Sequence, residues 1–339
     1  MRVVKSVPVE DLEGRGSIKD SDVTRMRKAF EVDPVIQEGE AEAMLRLNRS
    51  CPVQAPTWSS FLTDAIADYL LNQSGPEGYI TLDKSRWLVG KLATDGWIAN
   101  RAEFDLLVAV LGRARWFPLS LAAFALEQVA GAVVHGYGPL RRGHGAGLGA
   151  GSAQGAVPGT IGEPEIALIR TILSAFGGES VLVLTRPETE ILIGINKAVA
   201  GRRAPLAWTD LYARAMANVI LAENGYAVPP RAVALRPSVA ENGEASIEEQ
   251  IAVSLARLRH EYHTQSVEER ALARLERQRI EIVTGEEMAA DETGWLTERL
   301  LASLRPAAIE TAVLAYLDRE CLIGAPGQRL GIGWNGRAA

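Results

Sequence analysis

Apolar positions recur at helical spacing in two stretches 150 residues apart. In residues 56–71, PTWSSFLTDAIADYLL, the side chains of Trp58, Phe61, Leu62, Ala65 and Tyr69 fall on one helical stripe. In residues 206–221, LAWTDLYARAMANVIL, Trp208, Leu211, Tyr212, Ala215 and Val219 take the same places. The likeness continues upstream: Glu40, Glu42, Leu45 and Asn48 return as Glu188, Glu190, Ile193 and Asn196, and Ile18, Val23 and Arg27 return as Ile161, Ile166 and Arg170. Such self-similarity reads as an internal duplication of a helical unit, A and A′.

Within the first copy, residues 1–16 read as a short extended lead-in. A helix follows over 20–30, with Asp20 or Ser21 as its cap and Val23, Met26 and Phe30 on one face. A second helix covers 40–48 and is ended by Asn48, a residue tolerant of the left-handed C-terminal position. The Trp58 helix covers 57–72. A different unit, B, begins at Tyr79: Thr81 opens a helix carrying Trp87, Leu88, Lys91 and Leu92, residues 94–98 form a tight turn, and residues 99–115 form a helix with Phe104, Leu107, Val108 and Leu111 aligned. An apolar helix then starts at Pro118 and is stopped by Gly136.

The composition changes abruptly at residues 136–159, which hold too much glycine and too little apolar mass to form a core and read as a flexible connector. Beyond it the A′ helices are expected at 164–176, from a capping box of Thr185 and Glu188 to near Asn196, and over the Trp208 stripe. Residues 246–282 read as an inserted helical pair, with capping boxes at Ser246 with Glu249 and Ser266 with Glu269. Residues 284–321 repeat B, with Trp295 and Leu296 standing for Trp87 and Leu88. The expected fold is all-α: an N-terminal helical lobe over 1–135, the linker 136–159, a C-terminal lobe over 160–322 and a tail over 323–339.

Bulk properties narrow the function. The chain of 339 residues is 47% hydrophobic, enough for real cores, and its net charge of −6 with no strongly basic region offers no footprint for a nucleic-acid backbone. Cys51 and Cys321 lie far apart in no metal-ligand spacing, which fits reduced thiols in the cytoplasm. The most apolar run, 119–134, is interrupted by Glu127 and Gln128 and falls short of the ~20 residues that cross a bilayer.

Candidate chemistry is sparse. Asp95, Gly96, Trp97 and Ile98 form an acidic turn between two helices, and residues 81–111 resemble a degenerate EF-hand and the helix pairs of tellurite-resistance TerB-like domains. That resemblance implies a divalent cation held by Asp95. Placing Gly96 at the sixth position of a calcium loop, however, puts Lys91, Ala93 and Ala102 at the first, third and twelfth, where ligands belong, so a packed turn with Ile98 inward is the stronger reading. His260 and His263 stand three apart without the further ligands zinc needs. The glycines of 143–151 have neither a strand before them nor a helix after, as a dinucleotide fingerprint requires. Asp64 and Asp68 share a helix face, but their counterparts are Arg214 and Asn218, which argues against a duplicated catalytic pair and for a polar or interdomain face. The acids Glu40 and Glu42, with Glu188 and Glu190, lie in the first turns of helices, where negative charge is favoured in any case. Trp97 would serve as a binding contact if exposed.

The duplicated spacing of Asn48 to Trp58 and Asn196 to Trp208 resembles a family of bacterial, alphaproteobacterial, all-helical proteins with this layout, a resemblance that implies no activity. The expectation is a cytoplasmic, non-enzymatic helical protein without a cofactor, whose halves bind a protein partner or each other. Trp97, Glu42, Glu190, Asp64 and Asp68 are its candidate contacts. A divalent-metal-responsive, TerB-like protein is the alternative, and an enzyme without a recognisable motif the third.

Overall fold

The computed structural model describes residues 3–4, 7–136, 138–140, 157–175, 184–200, 204–223, 231, 235 and 275. The linker residues 141–156, the inserted pair 246–282 apart from Leu275, the second B unit and the tail lie outside the described residues, as do His260, His263, Trp295 and Trp334.

Helix dominates. The ten helices among the described residues are α1 (Val9–Arg15), α2 (Asp20–Val32), α3 (Glu38–Ser50), α4 (Pro56–Asp68), α5 (Leu82–Leu92), α6 (Arg101–Arg113), α7 (Leu119–Ala130), α8 (Glu163–Ser174), α9 (Arg186–Val199) and α10 (Leu206–Glu223). Two of them end in a wider π-helical turn: α4 continues as Tyr69–Gln73, and α7 continues as Gly131–His135. Three two-residue strand pairs stitch the connections. β1 (Val3–Val4) pairs antiparallel with β2 (Val7–Pro8), β3 (Ser17–Ile18) parallel with β4 (Val53–Gln54), and β5 (Ala93–Thr94) antiparallel with β6 (Trp97–Ile98).

Several local expectations change. The lead-in is not extended throughout, because Val9 and Leu12 are buried and fold residues 9–15 into α1, which packs on α3. The N-cap of α2 is Lys19 rather than Asp20 or Ser21, and Asp22 reaches back to accept its N–H at 3.0 Å. Asn48 does not end α3. The helix runs two residues further because the Asn48 side chain is engaged across the core, and Gln54 Nε2 covers the backbone carbonyls of Asn48 and Cys51 at 2.7 and 2.9 Å. The helix expected to 72 is α-helical only to Asp68, and the Ser74 N–H closes the π turn on Tyr69 O at 2.9 Å.

Other expectations hold. Thr81 caps α5, accepting the Lys84 N–H at 3.2 Å, and Thr185 with Glu188 forms a capping box at α9. Trp58 and Trp208 are fully buried, and Ile98 packs inward. Trp97 is only half-buried, and its ring is pressed on α7's end: a Cβ placed on Gly131 would fall 2.5 Å from it, so only glycine admits the contact.

One core cluster takes in buried residues from Val9 to Leu235. α4 packs on α6 and α2, and α7 packs on α8 and α9. The helices α8, α9 and α10 begin 143, 148 and 150 residues after α2, α3 and α4. Gly16 and Gly159, also 143 apart, both take the left-handed conformation (φ 63° and 76°) just before this run of helices. Each donates its N–H to the carbonyl of the preceding helical segment, Gly16 to Leu12 and Gly159 to Val133.

The buried Asp22 fastens the first of these junctions. Burial works against its charge, but the Lys19 N–H and the guanidinium groups of Arg15 and Arg25 outweigh it and hold the carboxyl below its ordinary value. With the native pKa below the unfolded one of about 3.9, the stabilisation is complete above about pH 4 and is lost as pH falls through the native pKa. Asp22→Asn is therefore expected to lower the unfolding free energy by about 1–3 kcal/mol at pH 7, with the deficit shrinking below about pH 4. Urea titrations across pH test it, and a deficit that stayed constant to pH 2.5 would contradict the assignment.

Candidate functional site

Two polar assemblies stand out against the apolar core. The first is buried and joins α3 and α4 to the start of α6. Trp58 on α4 donates its indole N–H to Asn48 Oδ1 at 3.1 Å, and Asn48 Nδ2 approaches Asn100 Oδ1 at 3.4 Å. Asn100 is the N-cap of α6, where its Oδ1 also accepts the Glu103 N–H at 3.0 Å. Glu103 is wholly buried; its Oε1 accepts from Arg49 Nε at 2.7 Å, and Arg49 donates onward to Lys91 O at the end of α5. Lys91 Nζ in turn meets Glu42 at 2.7 Å. Burial pushes the Glu103 carboxyl up, Arg49 pulls it down, and the rise prevails. Among the described residues, Glu103 Oε2 has no hydrogen-bond partner.

The same bond occurs once more. Trp208 on α10 donates to Asn196 Oδ1 at 3.2 Å, in an equally buried setting. Here, among the described residues, the amide Nδ2 of Asn196 has no partner, where that of Asn48 has Asn100.

The second assembly is an open cleft of about 510 Å³ between the end of α4, its π turn and the end of α6. Asp64, Asp68, Glu77, Arg113 and Arg115 line it over Ala67 and Leu71. Arg113 reaches across 49 residues to pair with Asp64 at 2.8 Å. Asp68 accepts from Asn72 at 2.6 Å and Gln73 at 2.5 Å. The volume suits a small molecule or a few peptide side chains. Its lining sets three carboxylates against two guanidinium groups, so it offers a surface of opposed charges over an apolar floor.

The cleft thus brings together Asp64 and Asp68 of the residues singled out from the sequence. The others lie apart from it. Glu42 is tied to Lys91, and Glu190 sits half-buried on α9. Asp95 is exposed at the tip of the hairpin between β5 and β6, with a left-handed φ of 52°. Among the described residues no group of three or more His, Cys, Asp and Glu converges as metal ligands, and no helix is long and apolar enough to cross a membrane. Arg113, Arg115, Glu77 and Asn100 were not singled out: Arg113 pairs with Asp64 49 residues away, outside the reach of helical periodicity, while Asn100 did carry a local signal, an asparagine at a helix start, though not its contact with Asn48.

Comparison with family models, with curated proteins and with solved structures gave no match.

The paired indole bonds invite a direct measurement. Trp58→Phe and Trp208→Phe each leave a buried asparagine oxygen without its donor and are expected to cost about 1–3 kcal/mol. In double-mutant cycles with Asn48→Ala and Asn196→Ala, each pair should show a coupling of about 1 kcal/mol. A coupling near zero in either pair would show that its bond contributes nothing there.

Proposed function

We propose that the chain is a non-enzymatic helical scaffold of the bacterial cytoplasm, built from two copies of one three-helix unit, that uses the cleft between α4 and α6 to hold a protein partner. The observation that carries this reading is that packing recurs while polar chemistry does not. Helix starts, the left-handed glycine and the bond from tryptophan to asparagine return in the second copy. Asp64 and Asp68, on an accessible face of α4, correspond instead to Arg214 and Asn218, which are buried on α10. The cleft's charges, set above an apolar floor of Ala67 and Leu71, have the make-up of a polar interface rim. The packing of α7 on α8 and α9 gives the two copies a fixed contact from which to present that surface.

A photo-crosslinking amino acid in place of Asn72, at the cleft's edge, is expected to give a discrete protein adduct in the producing cell. The adduct should be lost when Asp64 and Arg113 exchange charge signs. Adducts that ignore the exchange, or their absence at this position, would remove the cleft from the proposal.

The alternative, a divalent-metal-responsive protein in the TerB-like sense, would act through Asp95. It requires a calcium-dependent rise in melting temperature that Asp95→Asn abolishes. The scaffold reading expects the melt to be the same with calcium as with chelator.

A further inference from the structure

Lys84 is an unusual lysine. It sits in the first turns of α5, only 9% exposed, and its ammonium is turned inward rather than extended to water. Nζ donates to Leu70 O at 2.7 Å, Ser74 O at 2.5 Å, Pro76 O at 3.2 Å and Tyr79 O at 2.8 Å. All four acceptors are main-chain carbonyls of one short stretch, residues 70–79, and no carboxylate stands among them. Burial draws the pKa of Lys84 down to about 8, which leaves the group charged at neutral pH.

An ammonium carries three N–H groups. Four carbonyls therefore share three donors, and the cage closes on the charge as well as on individual hydrogen bonds. Four neutral oxygens suit a monovalent cation; hard divalent ions are held by sites that include carboxylates. The stretch is also held at its flanks: Ser74 N and Oγ donate to Tyr69 O, Gly78 N to Leu71 O, Tyr79 N to Pro76 O and Arg115 N to Gly78 O, and the Gln73 side chain bonds Asp68, Pro34 and Ile36; Lys84 alone draws the carbonyls of residues 70, 74, 76 and 79 to one point. Without a cation at its centre, the carbonyls of Leu70 and Tyr79, both bonded to Nζ in buried settings, would lose that partner where water does not reach.

We infer that residues 70–79 form a binding site for a primary ammonium, filled from within by Lys84, and that this occupancy sets one wall of the cleft. Four of the residues lining the cleft, Leu71, Asn72, Glu77 and Gly78, belong to this stretch. The inference stands apart from the scaffold reading, since it concerns how the wall is held and not what the cleft receives.

The test removes the tethered cation and offers a free one. In the full chain carrying Lys84→Ala, hydrogen exchange at the amides of Ser74 and Gly78 is expected to quicken about 100-fold, as the loss of roughly two net hydrogen bonds predicts. Ethylammonium chloride should restore protection with a saturating concentration dependence. Tetramethylammonium chloride, equally charged but without N–H groups, should not, and the parent protein should respond to neither salt. Unchanged protection in the variant, no recovery with ethylammonium, or equal recovery with both salts would each overturn the inference. The parent chain provides a measurement that does not depend on the variant folding. With an amine-acylating reagent at pH 7, where Lys84 is charged, it should react at least about 100-fold more slowly than the half-exposed Lys91, and equal rates would overturn it as well.

Discussion

Much of this structure depends on the satisfaction of one buried carboxamide. Asn48 lies inside a helix and among apolar neighbours, where an unpaired amide is costly. Its oxygen is met by the Trp58 indole and its nitrogen by Asn100. These two bonds dictate three arrangements at once: the angle at which α4 crosses α3, the depth of Trp58 in the core, and the position at which α6 starts. Asn100 can serve Asn48 only while it also caps α6, so the helix start and the junction between units are one constraint.

From that point the polar network spreads outward with rising exposure. Glu103 is entirely enclosed, Arg49 spans from it to the end of α5, and the ion pair of Lys91 with Glu42 lies near the surface. Such a gradient keeps the costly charge close to compensation and leaves the outer pair, worth little in water, to orient long side chains. The cleft beyond it is built on similar terms. Its wall hangs on a lysine surrounded by carbonyls, and its rim on an ion pair between α4 and α6. The rim pair joins residues 49 apart in the chain, whereas the wall closes within 5 to 14 residues, so the cleft needs both the crossing of α4 with α6 and the local fold of residues 70–79.

The second Asn and Trp pair shows how far the same local solution serves a different setting. Trp208 and Asn196 reproduce the indole bond at 3.2 Å, yet the amide nitrogen that finds Asn100 in the first case has no partner among the described residues in the second. Likewise Glu40 is half-exposed and serves its helix start, whereas Glu188 is fully buried and also takes a two-pronged contact from Arg231. Sequence likeness preserved the packing position in each case, and the neighbours changed the electrostatic role.

What the sequence determined by itself was the helical skeleton. The stripe through Trp58 and Phe61, the caps at Thr81 and Thr185, the proline before α7 and the inward Ile98 all follow from periodicity and from residues that act within one turn of themselves. Where a distant partner competes, local reasoning gave the wrong answer: α1 forms because Val9 and Leu12 have a core to enter, and Asn48 stays helical because its side chain has an indole to meet. The cleft, the pairing of Asp64 with Arg113 and the enclosure of Lys84 were decided by tertiary structure alone. Each joins groups with no shared period in the sequence, and only the crossing of α4 with α6 and the fold of residues 70–79 bring them within hydrogen-bond range.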